Sequence, residues 1–181
     1  CMSSVAYEDA HGKLHWMFDG FLFLEFKNGK GRAYASYYEP LPCRKAEWEE
    51  LAQCYFVEGR ACSALEECID EVKAQIGEPK HKRQVVVTLP EPIPGQKDWG
   101  QLNGKDLDFD NDEDRIEACK WYIDEVIRIF KSRNYKNLEL AGFYWVAEEA
   151  THSRTIVHQV GDYMRSLGYK FYWIPYWGSD G

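Results

Sequence analysis

Apolar residues along the chain fall into short continuous runs that alternate with helically spaced stripes. The continuous runs, a pattern typical of strands buried in a parallel sheet, cover residues 20–26, 85–89, 138–146 and 169–176. The stripes, in which apolar residues recur every three or four positions, predict helices over residues 42–56, 65–76, 116–130 and 156–167. Glycines at positions 77 and 168 follow two of these stripes and predict helix ends.

The ordered alternation of strands and helices predicts parallel βαβ units. An open doubly wound sheet and a (β/α)8 barrel both contain this alternation, and four units make about half of a barrel of roughly 250 residues. No glycine-rich phosphate loop follows a predicted strand, which weakens a nucleotide-binding alternative. The length of 181 residues predicts a single domain over residues 1–181.

Functional groups in such folds sit at the carboxyl ends of the strands. Four candidates fall at these ends, namely Glu25, Glu91, Glu148 and Trp177. The charge balance limits the classes of partner, because a net charge of -8 argues against binding to a nucleic-acid backbone. No apolar run is long enough for a membrane span. Aromatic residues make up 15% of the chain, which favours a surface that stacks on flat ligands.

The predicted strand over residues 138–146 delivers Glu148 beside Tyr144 and Trp145. An aromatic ring offers its apolar face to the C–H face of a sugar, and a carboxyl group against it is partly desolvated. Such a carboxyl group can hold a proton near neutral pH and act as a general acid on a glycosidic oxygen. The alternative is that both rings belong to the core and that Glu148 and Glu149 begin the next helix, where acidic residues suit the helix dipole.

Carboxylates also recur at the spacing of a calcium loop. Offsets 1, 3, 5, 7, 9 and 12 of that loop are matched by Asp106, Asp108, Asp110, Asp112, Asp114 and Glu117. Asn111 stands where glycine is expected, and no helix precedes the loop. An equally good interpretation makes Asp110 or Asp112 the cap of the helix that begins near Asp114.

The six cysteines show no Cys-x-x-Cys pair and no histidine partner at zinc spacing. Cys68 and Cys119 fall on the apolar stripes of predicted helices, so we expect both to be reduced and buried. His152 is the one histidine near the proposed site. It follows Glu148 closely enough to meet a ligand there, and the alternative is an exposed residue at a helix start.

Four stretches of the chain, taken in order, resemble a bacterial family known as domain of unknown function 4855. They are Trp-Met-Phe-Asp-Gly-Phe-Leu-Phe-Leu over residues 16–24, Val-Thr-Leu-Pro over 87–90, Trp-Tyr over 121–122 and Gly-Phe-Tyr-Trp-Val-Ala-Glu over 142–148. The resemblance runs through nearly the whole chain. It implies a (β/α)8 barrel related to clan A glycoside hydrolases, and extracellular or periplasmic localisation in a bacterium.

The same resemblance implies that the strands seen here are the second to fifth of the barrel. Glu148 then ends the fourth strand, where these enzymes carry their acid/base glutamate, although Ala147 stands where they usually have asparagine. Their partner carboxylate comes from the seventh strand, outside this sequence. The expected fold is therefore α/β, a (β/α)8 TIM-barrel-like domain present as a partial barrel of about four βα units. The remaining strands or a second chain would complete it.

These observations predict a carbohydrate-active protein, with Glu148 as general acid/base and with no cofactor unless calcium binds. The expected substrate-binding residues are Trp145 and Trp177, followed by Tyr144, Tyr176, Glu91, Glu25 and His152. The second interpretation is a non-catalytic carbohydrate-binding or scaffold module with an incomplete barrel. A metal-dependent hydrolase is the third, and the sequence lacks the set of His and Asp ligands that it needs.

Overall fold

The computed structural model describes residues 2–149, 151–176 and 178. Up to the middle of the chain, the elements are α1 (Met2–Val5), β1 (Ala6–Glu8), β2 (Leu14–Trp16), β3 (Gly20–Phe23), β4 (Arg32–Ala33), β5 (Leu41–Pro42), α2 (Lys45–Cys54) and α3 (Ala61–Ile76). The remaining elements are β6 (Arg83–Leu89), β7 (Gln101–Leu102), β8 (Lys105–Asp106), α4 (Asp112–Arg133), β9 (Leu138–Trp145), α5 (Arg154–Ser166) and β10 (Lys170–Tyr172). No helix in the described residues has the length and apolarity needed to cross a bilayer.

The central sheet has four parallel strands in the order β10-β9-β6-β3. This order follows the chain without a reversal, as it does in a stretch of barrel and in one half of a doubly wound sheet. The prediction of an α/β fold with a parallel sheet is therefore confirmed. Strands β3 and β10 are the edges of this sheet, so the described residues do not close a barrel.

Two strands are shorter than predicted because side chains replace part of the backbone ladder. Beyond β3, the hydroxyl of Thr88 donates to the carbonyl of Phe23 at 3.1 Å and accepts from the backbone N–H of Glu25 at 2.8 Å. Beyond β10, the indole N–H of Trp173 donates to the carbonyl of Ala147 at 3.1 Å. Both segments stay beside the neighbouring strand although the regular ladder has ended.

One face of the sheet packs under the helices. Val85, Val87 and Leu89 of β6 lie beside Phe143 and Trp145 of β9, and all five are fully buried in one core with residues of α2 to α5. Several aromatic rings of the core pack edge to face. The opposite face of the sheet is polar towards the amino ends of its strands. Three exposed residues mark it there, namely Gln84, Glu139 and Lys170.

A β-bulge in β9 decides which of its residues reach the core. Val85 pairs with Leu140 but Val86 pairs with Gly142, so Ala141 is an extra residue. From that point the alternation is inverted, and odd-numbered residues face the helices. A side chain at Gly142 is impossible without rearrangement, since a Cβ there would lie 1.9 Å from the carbonyl oxygen of Lys170.

The helix ends follow the predicted chemistry. Asn111 caps α4, its side-chain oxygen accepting from the backbone N–H of Glu113 at 2.9 Å. Gly77 follows α3 with φ of 84°, a conformation that few residues other than glycine adopt. Cys119 is a buried free thiol as predicted. The same prediction is wrong for Cys68, which is disulfide-bonded, because an apolar stripe reports burial and not the partner of a sulfur atom.

Candidate functional site

A pocket of about 180 Å³ opens at the carboxyl ends of β6 and β9. Four of the predicted site residues line it, namely Glu91, Glu148, His152 and Tyr176. The loop of residues 36–38, which follows the end of β3 in the chain, supplies the facing wall. The parallel sheet therefore brings together residues that lie far apart in sequence, as the rule for strand ends predicts.

Glu148 is half-buried three residues beyond β9. The hydroxyl of Tyr144 donates to its Oε1 at 2.9 Å, and its backbone carbonyl accepts from the N–H of Tyr176 at 3.0 Å. Burial, together with the hydrogen bond to Glu148, raises the pKa of Tyr144 to about 12, so this phenol keeps its proton. Glu148 is thus fixed by one oxygen, while its other oxygen has no hydrogen-bond partner among the described residues.

Glu91 is only 2% exposed and ties two loops to the end of β6. Its Oε1 accepts from both the backbone N–H and the hydroxyl of Ser36, at 3.0 and 2.5 Å. Its Oε2 accepts from the hydroxyl of Ser153 at 2.7 Å. The guanidinium group of Arg115 donates to that same hydroxyl at 2.6 Å and to the carbonyl of His152 at 3.0 Å. Glu91 and Arg115 together hold the two walls of the pocket at a fixed separation.

Tyr37 and His152 meet across the mouth of the pocket. The Tyr37 hydroxyl and His152 Nε2 are 2.5 Å apart, and the two ring centroids are 5.2 Å apart. Tyr37 is 75% exposed and has φ of 75°, a left-handed conformation that is uncommon for a residue with a side chain. Such strain persists where neighbouring contacts fix it, and it concentrates at functional sites.

The pocket is negative because carboxylates line it and no lysine or arginine does. Burial raises the pKa of Tyr38, and the charges on Glu148 and Glu149 raise it further. No described lysine or arginine forms an ion pair with either glutamate. The pocket therefore joins exposed tyrosine rings to carboxylates that lack a cation.

Two of the predicted site residues lie elsewhere in the structure. Trp145 is fully buried on the helix-facing side of the sheet, with its ring 6.4 Å from that of Phe171, so its assignment as a sugar-facing residue is wrong. The bulge in β9 is the physical cause, since it turns Trp145 into the core. Glu25 lines a separate depression beside Lys27. Trp177 lies outside the described residues.

The predicted calcium loop is occupied by internal ion pairs. Lys97 donates to Asp108 at 2.9 Å and forms a shorter contact with Asp110. Lys105 donates to Asp114 at 2.5 Å. Among the described residues, no group of three or more His, Cys, Asp or Glu side chains is arranged to hold a metal ion. The interpretation of this loop as the start of α4 agrees with the structure, but the predicted caps Asp110 and Asp112 are wrong, because Asn111 between them is the capping residue.

Sequence reasoning missed the loop of residues 36–38 and the second role of Ser153. The tyrosines at 37 and 38 lie in the loop between β4 and β5, well after the end of β3, so the rule for the ends of parallel strands did not identify them. Ser153 stands at the N-cap of α5, but its hydroxyl binds Glu91 and makes no capping hydrogen bond.

No curated protein and no solved structure matches this chain. A family model does match, and it covers residues 1–181. The chain therefore belongs to the family DUF4855, a domain of unknown function.

Proposed function

We propose that the pocket binds carbohydrate and that Glu148 acts in it as the general acid/base of a glycoside-hydrolase-like reaction. The observation that carries the proposal is the position of Glu148, half-buried at a strand end in a pocket that Tyr38 and Tyr176 also line. Tyrosine rings offer apolar faces to sugar rings, while a carboxyl group can exchange a proton with a glycosidic oxygen. We also propose that the sheet is a stretch of a (β/α)8 barrel related to clan A glycoside hydrolases, to which further strands would add at β3 and β10.

The Tyr144 hydrogen bond supports this role by leaving one orientation for the carboxyl group. With Oε1 held by the phenol, Oε2 is the atom available to a ligand. Hydrolysis needs a second carboxyl group on the other side of the scissile bond. Within the described residues, Glu91 and Glu149 line the same pocket, so they are candidates for this second group.

A second candidate function is carbohydrate binding without catalysis. It is favoured by the state of Glu91, whose two oxygens already accept hydrogen bonds from Ser36 and Ser153. A carboxylate that is buried and fully bonded is a poor nucleophile and a poor base for water. In this case, the tyrosines and Glu148 would hold a glycan that this protein does not cleave.

The test compares Glu148→Gln with the native chain and with Glu139→Gln, a matched change at an exposed site on the same strand. Release of reducing sugar from a panel of soluble polysaccharides reports hydrolysis, and calorimetry reports binding. We expect Glu148→Gln to lower hydrolysis by about 100-fold or more while the binding of uncharged glycans and the melting temperature stay unchanged. Unaltered hydrolysis in this variant would remove Glu148 from the mechanism. Binding without turnover in the native chain would establish the second candidate, and no binding to any glycan would exclude both.

A further inference from the structure

The pocket continues into a second depression on the far side of Tyr37 and His152. Ser36 and Tyr38 are also common to both linings, so the two form one cleft. The second part, here called the groove, adds Glu39, Pro40, Pro42, Ile93 and Pro94. Apolar side chains dominate this part, and the groove has the larger volume of the two, about 610 Å³. A cleft with two compartments fits a ligand of several linked sugar units better than a single sugar unit.

Charge is distributed unevenly along this cleft. Glu39 in the groove is paired with Lys27 at 3.2 Å, and Glu91 at the base of the pocket is saturated by serine hydroxyls. Glu148 and Glu149 have no ion-pair partner among the described lysines and arginines. The cleft therefore presents two uncompensated carboxylates at one end and an apolar surface at the other.

Two physical consequences follow for any ligand. A chain of uronic acids or sulfated sugars would place like charges against Glu148 and Glu149, and this repulsion opposes binding. A protonated amine would form charge-assisted hydrogen bonds with the same carboxylates, and the exposed faces of Tyr37 and Tyr38 can bind a cation as well. Electrostatic complementarity thus selects among glycans of the same shape.

We propose that the ligand is an oligosaccharide of several units that carries free amino groups, with an amino sugar in the pocket and neighbouring units in the groove. This inference rests on the proposed carbohydrate function and specifies its substrate class. The amine binds at Glu148 and Glu149, the tyrosine rings of residues 37 and 38 stack on the sugars between the compartments, and Ile93 contacts the units beyond them.

The experiment measures binding by calorimetry at mildly acidic pH, where an amine is protonated. Four probes separate the contributions, namely the β-1,4-linked glucosamine tetramer, the N-acetylglucosamine tetramer, tetragalacturonate and monomeric glucosamine. We expect the glucosamine tetramer to bind about tenfold or more tightly than either the acetylated tetramer or the monomer, and tetragalacturonate to show no binding.

Variants assign these preferences to residues. Glu149→Gln should reduce the preference for the amino tetramer over the acetylated one, whereas the matched control Glu139→Gln should leave it intact. Ile93→Ala should weaken binding of the glucosamine tetramer and leave binding of the monomer unchanged. Equal affinity for the acetylated tetramer, or binding of tetragalacturonate, would overturn this inference while the proposed carbohydrate site stands. Equal affinity for the monomer and tetramer would overturn the assignment of the groove. If none of the four probes and no polysaccharide of the panel binds, the proposed function is wrong as well.

Discussion

Two regions of the molecule are rich in carboxylates, and they differ in what surrounds those charges. The acidic loop, residues 106–114, has its carboxylates paired with Lys97, Lys105 and Arg115. The pocket has Glu148 and Glu149 with no lysine or arginine in its lining. In the sequence both regions look like candidate sites. In the structure, lysine and arginine side chains pair with four of the loop carboxylates, whereas neither Glu148 nor Glu149 has a described lysine or arginine as ion-pair partner.

The comparison teaches that the density of carboxylates does not identify a site, because cations from elsewhere decide what the carboxylates do. In the acidic loop, Lys97 from the segment before β7 and Lys105 from β8 bind carboxylates in the approach to α4. The carboxylates there serve folding. Behind the pocket, the guanidinium group of Arg115 donates to the carbonyls of Pro92 and His152 and to the hydroxyl of Ser153, and it makes no hydrogen bond with Glu148 or Glu149.

Arg115 connects the two regions, so its removal should have the largest effect. It is buried and donates to the carbonyls of Pro92 and His152, to Ser153 and to Asp112. We expect Arg115→Met to lower the free energy of unfolding by about 3 kcal/mol, because several buried acceptors lose a charged donor. Urea denaturation measures this change.

Arg128→Met is the matched control for this change. Arg128 lies in the same helix, is exposed and pairs with Glu125, so its loss should lower the free energy of unfolding far less than the loss of Arg115. Equal effects of the two substitutions would show that the network behind the pocket does not stabilise the fold.

Asp114 should have the next largest effect, since it is the buried member of the acidic loop. Burial acts to raise its pKa, but the Lys105 ammonium and the backbone N–H of Asp108 outweigh this, so the pKa is lowered from 3.8. Its ionised form therefore stabilises the fold above about pH 4, and this stabilisation is lost as the pH falls further. We expect Asp114→Asn to cost about 2 kcal/mol at neutral pH and progressively less below pH 4.

Denaturation at a series of pH values tests this expectation, with Asp106→Asn as the control. Asp106 belongs to the same predicted calcium loop but is exposed, so its substitution should change stability by less than about 0.5 kcal/mol at every pH. A stability difference between native and Asp114→Asn protein that does not narrow in acid would contradict the role assigned to the ionised carboxyl group.

The strand β9 shows how far the sequence can predict the site. Its apolar run identified the strand, and the order of elements placed Glu148 at the correct end of the sheet. The faces of Tyr144 and Trp145 were not predictable by alternation, because one extra residue at Ala141 exchanges the two faces. Gly142 was the local signal for that bulge, and only the approach of Lys170 shows why glycine is required there.

The network behind the pocket was beyond sequence reasoning for a different reason. Ser36 and Glu91 are 55 positions apart, and Ser153 is 62 positions from Glu91. No periodicity relates positions that meet only after the sheet has formed. Helices, strands and strand ends are local or follow from topology, whereas the pairing of a buried carboxylate depends on the packed loops. The sequence therefore predicted the edge of the sheet at which the pocket lies, but it did not predict which loops form the walls of the pocket.

The smallest predicted effects come from exposed residues, one in each region, and they test the comparison directly. Lys97 is 59% exposed and binds two carboxylates, so Lys97→Met should lower the melting temperature slightly, and by less at high salt. Glu149→Gln loses no ion pair and relieves repulsion from Glu148, so stability should change by less than about 0.5 kcal/mol. Thermal unfolding at low and high salt measures both. Destabilisation by Glu149→Gln that exceeds the effect of Lys97→Met would mean that the pocket carboxylate has a structural partner, and the distinction between a folding cluster and a binding cluster would fail.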